Sequence, residues 1–244
     1  MLRREDGFTL PELLVTLAIA MIVSLATFAL VEVVMRRSGE VGARVETTQR
    51  ARTAMDQITR QLRSQVCAWR NDVNPAWANA RSIESATPTS VVFFTDLSDE
   101  TGTAGAERHE LTVEDDAIVE KVTPGQRGNP DTAKVTYSYG GATTITRPVL
   151  TDVTLLENPA APDTTALFRY FKFNAANPPQ PVTEIAPGRA LTAAEVQQIA
   201  KIAVTYRVRP QNGGVTGATT LQNEVYVRTA DPNAPTPKPT CLTT

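Results

Sequence analysis

The sequence predicts an α+β protein in which one long N-terminal helix packs on a body of antiparallel β-strands. Two observations support this prediction. An uncharged run, Leu13–Val31, lies within a stretch that has no proline between Pro11 and Pro75. Short β-branched and aromatic runs, separated by turn residues, follow this stretch and are typical of strands. We therefore expect residues 8–67 to be mostly helical and residues 68–230 to form a β-rich globular domain.

The N-terminal run is long enough to cross a membrane. Leu13–Val31 has 19 residues, and at ~1.5 Å per residue such a helix spans roughly the ~30 Å hydrocarbon core of a bilayer. A cleaved secretory signal is one interpretation, supported by Arg3 and Arg4 and by the small-residue pattern at 18–20. A plain signal anchor is another. Neither gives a reason for the acidic Glu12 at the start of the run.

Glu12 has two possible roles in such a helix. It could form a capping box with Thr9, three residues earlier, by reaching back to a free backbone N–H group. Alternatively, cleavage after Gly7 would leave a free amine on Phe8, which lies four residues before Glu12 and therefore on the same helical face.

Residues 7–15, GFTLPELLV, resemble the prepilin cleavage and methylation motif of type IV pilins and type II secretion pseudopilins. Pro11 departs from the commoner aliphatic residue. The resemblance implies that prepilin peptidase cuts between Gly7 and Phe8 and methylates Phe8. It also implies that Glu12 pairs with the amine of a neighbouring subunit during filament assembly.

The same resemblance implies a single-pass location in the cell membrane. Residues 1–7 are then a cytoplasmic leader, and residues 8–34 are the transmembrane half of the helix in contact with lipid. The globular domain is extracytoplasmic, in the membrane-bound protein or in a filament. The charge of the flanking residues does not decide this orientation, because arginines both precede and follow the run.

The helix is predicted to continue to about Val66, with residues 35–67 as an amphipathic half. Apolar or small residues recur at helical spacing and predict a face that packs on the body. This predicted stripe consists of Val41, Val45, Thr48, Met55, Ile58, Leu62 and Val66. Gly39 and Gly42 interrupt the polar side and allow a bend.

Turn residues and alternating patterns predict the strands of the body. The predicted strands are 91–94, 111–113, 117–122, 135–139, 149–156, 167–173, 201–208 and 221–227. Residues 114–116 fit a tight hairpin turn. Thr192 and Glu195 have capping-box spacing and predict a short helix that ends near Ile199.

Four later segments resemble the body of minor pseudopilin J of type II secretion and of PilW-type minor pilins. They are residues 167–171, 191–196, 199–206 and 221–228. The resemblance implies a minor pilin or pseudopilin that helps to initiate or cap a type IV pilus or a type II secretion pseudopilus. Its partners would then be prepilin peptidase, other minor subunits and the major pilin. The alternative is a signal-anchored extracytoplasmic module for binding or adhesion.

Composition and motifs argue against several other classes of protein. The 244 residues have a formal net charge of −2, so we expect no nucleic-acid partner. Nucleophile-elbow, P-loop and zinc-protease motifs are missing from the sequence, and we expect no enzyme, metal or cofactor. His109, the only histidine, lies in a polar stretch and is predicted to be a solvated loop residue. Two oxygen-rich segments, 96–100 and 125–131, lack EF-hand spacing and are interpreted as loops rather than calcium sites.

The two cysteines lie at opposite ends of the body. Cys67 follows the long helix, and Cys241 lies in a proline-rich tail, residues 231–244, that is too polar and proline-rich to fold alone. In an oxidising compartment a disulfide between Cys67 and Cys241 would fasten the tail to the helix. The alternative is two free thiols.

Overall fold

The computed structural model describes residues 9–70, 80–95, 104–128, 136–174, 180–211, 217–230 and 241. These residues form a long helix, a short second helix and a mostly antiparallel β body, so the predicted α+β class is confirmed. The helices are α1 (Leu10–Arg63) and α2 (Ala193–Val196). The strands are β1 (Trp69–Arg70), β2 (Ile83–Ala86), β3 (Ser90–Thr95), β4 (Ala104–Glu114), β5 (Ala117–Arg127), β6 (Thr136–Ser138), β7 (Ile145–Leu150), β8 (Val153–Thr154), β9 (Leu156–Asn158), β10 (Ala161–Ala166), β11 (Phe168–Phe173), β12 (Pro181–Glu184), β13 (Lys201–Val208) and β14 (Thr219–Tyr226).

The strands form two main sheets. Sheet 1 has the order β1-β6-β5-β4-β3-β2, and β7 also pairs with β5. Sheet 2 has the order β12-β11-β13-β14, and β8 also pairs with β13. Strands β9 and β10 form a separate pair. The pairing of β1 with β6 is parallel, whereas the other named pairs are antiparallel.

Helix α1 is 54 residues long and ends at Arg63, three residues before its predicted end. The backbone N–H of Ser64 donates to the carbonyls of Arg60 and Gln61, both at 3.1 Å, and closes the last turn. Arginines 60 and 63 lie in that turn, where a positive charge interacts favourably with the helix dipole. Gly39 lies within the helix, so it does not terminate it.

Only the C-terminal part of the predicted stripe packs on the body. Thr47 is the first buried residue of α1, and Val41 and Val45 are 62% and 50% exposed. The buried face of α1 consists of Thr47, Ala51, Ala54, Met55, Ile58, Thr59, Gln61 and Leu62. The prediction was wrong for Val41 and Val45 because, among the described residues, the buried part of the helix begins at Thr47 and these two side chains lie before it.

The main core joins α1 to both sheets. Ile58 and Leu62 belong to the same cluster of buried side chains as Phe93 of sheet 1 and Phe168 of sheet 2. The hydroxyl of Tyr206, on β13, donates to a backbone carbonyl of α1 at 2.8 Å. Residues 47–63, which we call the lower half of α1, are therefore part of the core of the domain.

The predicted strands are present, with shifted boundaries. Segments 91–94, 111–113 and 117–122 lie in β3, β4 and β5, and segment 201–208 is β13. The prediction of a single strand at 149–156 was wrong, because this segment divides among β7, β8 and β9. Asp152, between β7 and β8, has a φ of 61°. Strands β1, β2, β10 and β12 were not predicted.

The two predicted local motifs of the body form. Asp115 and Asp116 have φ values of 45° and 59° between paired Glu114 and Ala117, as a two-residue hairpin turn requires. The capping box of Thr192 is complete, although α2 ends at Val196 rather than near Ile199.

The prediction for His109 was wrong. Its side chain is only 2% exposed and lies on β4 between two sheet neighbours, not in a solvated loop. Of the two oxygen-rich segments, 96–100 lies outside the described residues, whereas Gly125–Arg127 are part of β5. Among the residues that the structure describes, no group of three His, Cys, Asp or Glu is placed to hold a metal ion.

Candidate functional site

The start of α1 is held by backbone hydrogen bonds. Thr9 is extended, with φ −77° and ψ 148°, and its carbonyl accepts from the N–H groups of Glu12 and Leu13 at 3.1 and 3.2 Å. Its hydroxyl makes no capping bond and instead donates to the Glu12 carboxylate at 3.4 Å. The predicted capping box is therefore not formed, and the exposed carboxylate of Glu12 is not used to cap its own helix. Gly7 and Phe8 lie outside the described residues.

The first half of α1 exposes an apolar surface. Residues 10–42 are all exposed, and no charged residue occurs between Leu13 and Val31. By length and composition this helix is able to cross a membrane, and none of its most apolar 18-residue stretch is buried. Its exposed apolar side chains would be costly in water and favourable in lipid, where the hydrophobic effect places them.

The hydroxyl groups within this segment are satisfied by the helix itself. Thr16 donates to the carbonyl of residue 13 at 2.9 Å, and Ser24 and Thr27 donate to carbonyls four residues earlier, both at 2.8 Å. Hydrocarbon offers no hydrogen-bond partners, so polar groups in a membrane span need partners inside the protein. The three hydroxyls meet that requirement.

Charge returns one residue after the apolar run. Glu32 accepts a hydrogen bond from Arg36 at 2.5 Å, and both side chains are exposed. A pair at this spacing neutralises two charges on one helical face. The pair marks the end of the segment that is suited to hydrocarbon.

Residues 2–28 match the family described as the prokaryotic N-terminal methylation motif. This match supports the type IV pilin and pseudopilin class. The motif is the recognition site for prepilin peptidase and implies pilin partners. Together with the exposed apolar helix, it fits a membrane-anchored pilin. No curated protein matches the chain.

The second predicted site lies at the far end of α1. The sulfur atoms of Cys67 and Cys241 are bonded at 2.17 Å, and their Cα atoms are 5.5 Å apart. Cys67 lies four residues after the last residue of the helix. The bond fixes position 241 beside the end of α1, although residues 231–240 lie outside the described residues.

Proposed function

We propose that the protein is a minor pilin or pseudopilin, a structural subunit rather than an enzyme. In this proposal it inserts in the membrane through residues 8–34 and helps to initiate or cap a type IV pilus or a type II secretion pseudopilus. The observation on which the proposal rests is the methylation motif placed directly before an exposed, uncharged half-helix.

The division of α1 supports this role. At ~1.5 Å per residue, the stretch from Leu10 to Glu46 extends about 55 Å beyond the first buried residue, Thr47. That length exceeds the ~30 Å hydrocarbon core of a bilayer. The buried half meanwhile fixes the direction of the projecting half through the core of the body. A subunit of this shape can be transferred from the membrane into a bundle of similar helices without refolding its body.

Processing is the first test. Mass analysis of the N-terminal peptide from membrane-extracted protein should give a chain that begins at N-methyl-Phe8. Gly7→Arg should block cleavage, because a bulky charged side chain replaces the small residue before the cut. Gly39→Arg is the matched control, since nothing lies within 4 Å of a Cβ built there, and it should be processed normally. An intact Met1 in the unaltered protein would favour a signal-anchored binding module and contradict the proposal.

Assembly is the second test, and it depends on Glu12. If its carboxylate neutralises the Phe8 amine of an adjoining subunit, Glu12→Gln leaves that amine unpaired where water is scarce, at a cost of several kcal/mol. The variant should be cleaved and remain in the membrane, yet fail to co-precipitate with its filament partners. Glu32→Gln, at the other end of the same run, is the control and should keep its partners. Undiminished partner recovery with Glu12→Gln would refute the pairing role.

A further inference from the structure

A carboxylate occupies a core position between α1 and sheet 1. Glu120 is fully buried on β5, where the pattern places it two residues from the buried Ile118. Its carboxylate accepts hydrogen bonds from Gln61 of α1 at 2.5 Å and from Arg147 of β7 at 2.6 Å. It also lies 2.8 Å from Nδ1 of His109 on β4. Burial alone would raise the pKa of Glu120, but the hydrogen bonds from His109 and Arg147 hold it below its usual value, so the group is ionised.

His109 lies between two carboxylates. Its second ring nitrogen, Nε2, is 3.1 Å from an oxygen of Glu107, and its ring stacks on Phe93 with the centroids 5.7 Å apart. An imidazole donates from both nitrogens only when it carries two protons. With one proton, one nitrogen would point its lone pair at a carboxylate. Because Glu120 is ionised, both contacts are favourable only if the cluster holds one additional proton, on the ring or on Glu107.

The charges around His109 also favour one additional proton in the cluster. In the described part of the chain, the charged groups around His109 are Glu107 of β4, Glu120 of β5 and Arg147 of β7. The neutral side chains of the neighbouring elements are Phe93 and Thr95 of β3 and Gln57 and Gln61 of α1. With the additional proton, two negative and two positive charges cancel. Without it, one negative charge is left uncompensated beside a side chain that is 2% exposed, which is unfavourable.

We propose that this cluster is a proton-controlled latch, in which one proton held by His109 or Glu107, beside the ionised Glu120, keeps the lower half of α1 docked on sheet 1. The helix responds to the proton because Gln57 and Gln61 are hydrogen-bonded to Glu120 at 3.4 and 2.5 Å. Loss of the proton leaves repulsion between carboxylates within the sheet face on which α1 packs. The latch concerns the stability of the body and does not depend on a filament role.

The direction of the pH dependence follows from proton linkage. If the docked state retains a proton that the unfolded chain releases near pH 6.5, the equilibrium constant for unfolding rises with pH above that value. The rise is up to tenfold per pH unit for one proton. The contribution of this proton to stability is then fully present below pH 6.5, and it decreases at higher pH until the folded cluster also releases its proton.

Because the chain has one histidine, NMR of the full-length protein with labelled histidine in detergent micelles gives a single imidazole signal. We expect an additional proton on the ring or on Glu107 in the folded protein, and its loss should coincide with accelerated hydrogen exchange in α1 between residues 51 and 62. A neutral imidazole between ionised Glu107 and Glu120 carboxylates, under conditions in which α1 is fully protected from exchange, would overturn the proposal. This measurement needs no variant.

Variants give an independent test by urea unfolding between pH 6 and 9. His109→Gln cannot hold the proton and should abolish most of the rise in the unfolding constant over this range. Glu114→Gln is the control, because Glu114 pairs with Lys121 on the surface, and it should unfold with the pH slope of the unaltered protein. A His109→Gln protein that folds and keeps the full slope would overturn the latch.

Discussion

Truncation of one helix residue measures how strongly α1 is fixed to the body. Ile58 is 0% exposed and belongs to the core cluster that includes residues of both sheets. Ile58→Ala removes three carbon atoms and leaves a cavity at the junction of the helix and the sheets. The helix itself is not expected to break, because alanine is the better helix former by ~0.4 kcal/mol.

The magnitude can be estimated from the buried carbons. Three carbons at ~0.8 kcal/mol each give ~2.4 kcal/mol of lost transfer free energy. The cavity adds to this loss, and Ile→Ala changes in cores cost about 2–5 kcal/mol in total. With the gain in helix propensity subtracted, we expect the free energy of unfolding to fall by about 3 kcal/mol.

Urea unfolding of the full chain in detergent micelles, followed by tryptophan fluorescence, measures this loss. Val45→Ala is the matched control, because Val45 lies on the same helix, is 50% exposed and gains similar helix propensity. Its effect should stay within ~0.5 kcal/mol. Equal losses for the two variants would refute the conclusion that the body begins near Thr47 and that the lower half of α1 is part of its core.

Three further predictions concern individual contacts of the body. Tyr206→Phe removes the buried hydrogen bond to α1 and should cost ~1 kcal/mol; no loss would contradict that bond. Non-reducing peptide mapping should find Cys67 joined to Cys241, and replacing both by alanine should cost about 5 kcal/mol in the loop-entropy model, whereas two alkylatable thiols would contradict it. Hydrogen bonds from Arg189 and Thr192 lower the pKa of Glu195 to about 2. The stability that they supply is present above pH 4.5 and is lost as pH falls toward 2. Arg189→Gln should reduce that loss, and an unchanged acid profile would contradict the prediction.

Strong periodicity made parts of the fold predictable. Strand β13 alternates Ile202, Val204, Tyr206 and Val208 with mostly polar residues, and all four apolar side chains are buried. The uncharged run likewise predicted the N-terminal helix, whereas the predicted cleavage site at Gly7 and Phe8 lies outside the described residues. In β13 the local pattern and the final environment agree, since one face is apolar and the other is mostly polar.

The buried cluster could not be predicted, for a physical reason. Strand β4 has Arg108 and Glu110 on one face, but the opposite face presents Glu107 and His109 to the core side. A strand that is polar on both faces loses the alternation from which burial is predicted. A buried His109 needs polar partners, and its main partner is Glu120. Only the pairing of β4 with β5 brings Glu120 beside it.

The extent of the packed face of α1 was unpredictable for a different reason. Val41 and Ile58 belong to the same helical stripe, yet one is exposed and the other is fully buried. Periodicity describes which side of a helix is apolar, and it contains no information about where along the helix a neighbouring domain begins.

The bond between Cys67 and Cys241 also changes how the chain responds to a pulling force. The two residues are 174 positions apart in sequence, and an extended chain of that length at ~3.5 Å per residue would measure about 600 Å. A load applied between α1 and the C-terminal end passes through the disulfide, not through the strands. The β body is therefore bypassed mechanically, and tension along that route cannot draw it out while the disulfide remains intact.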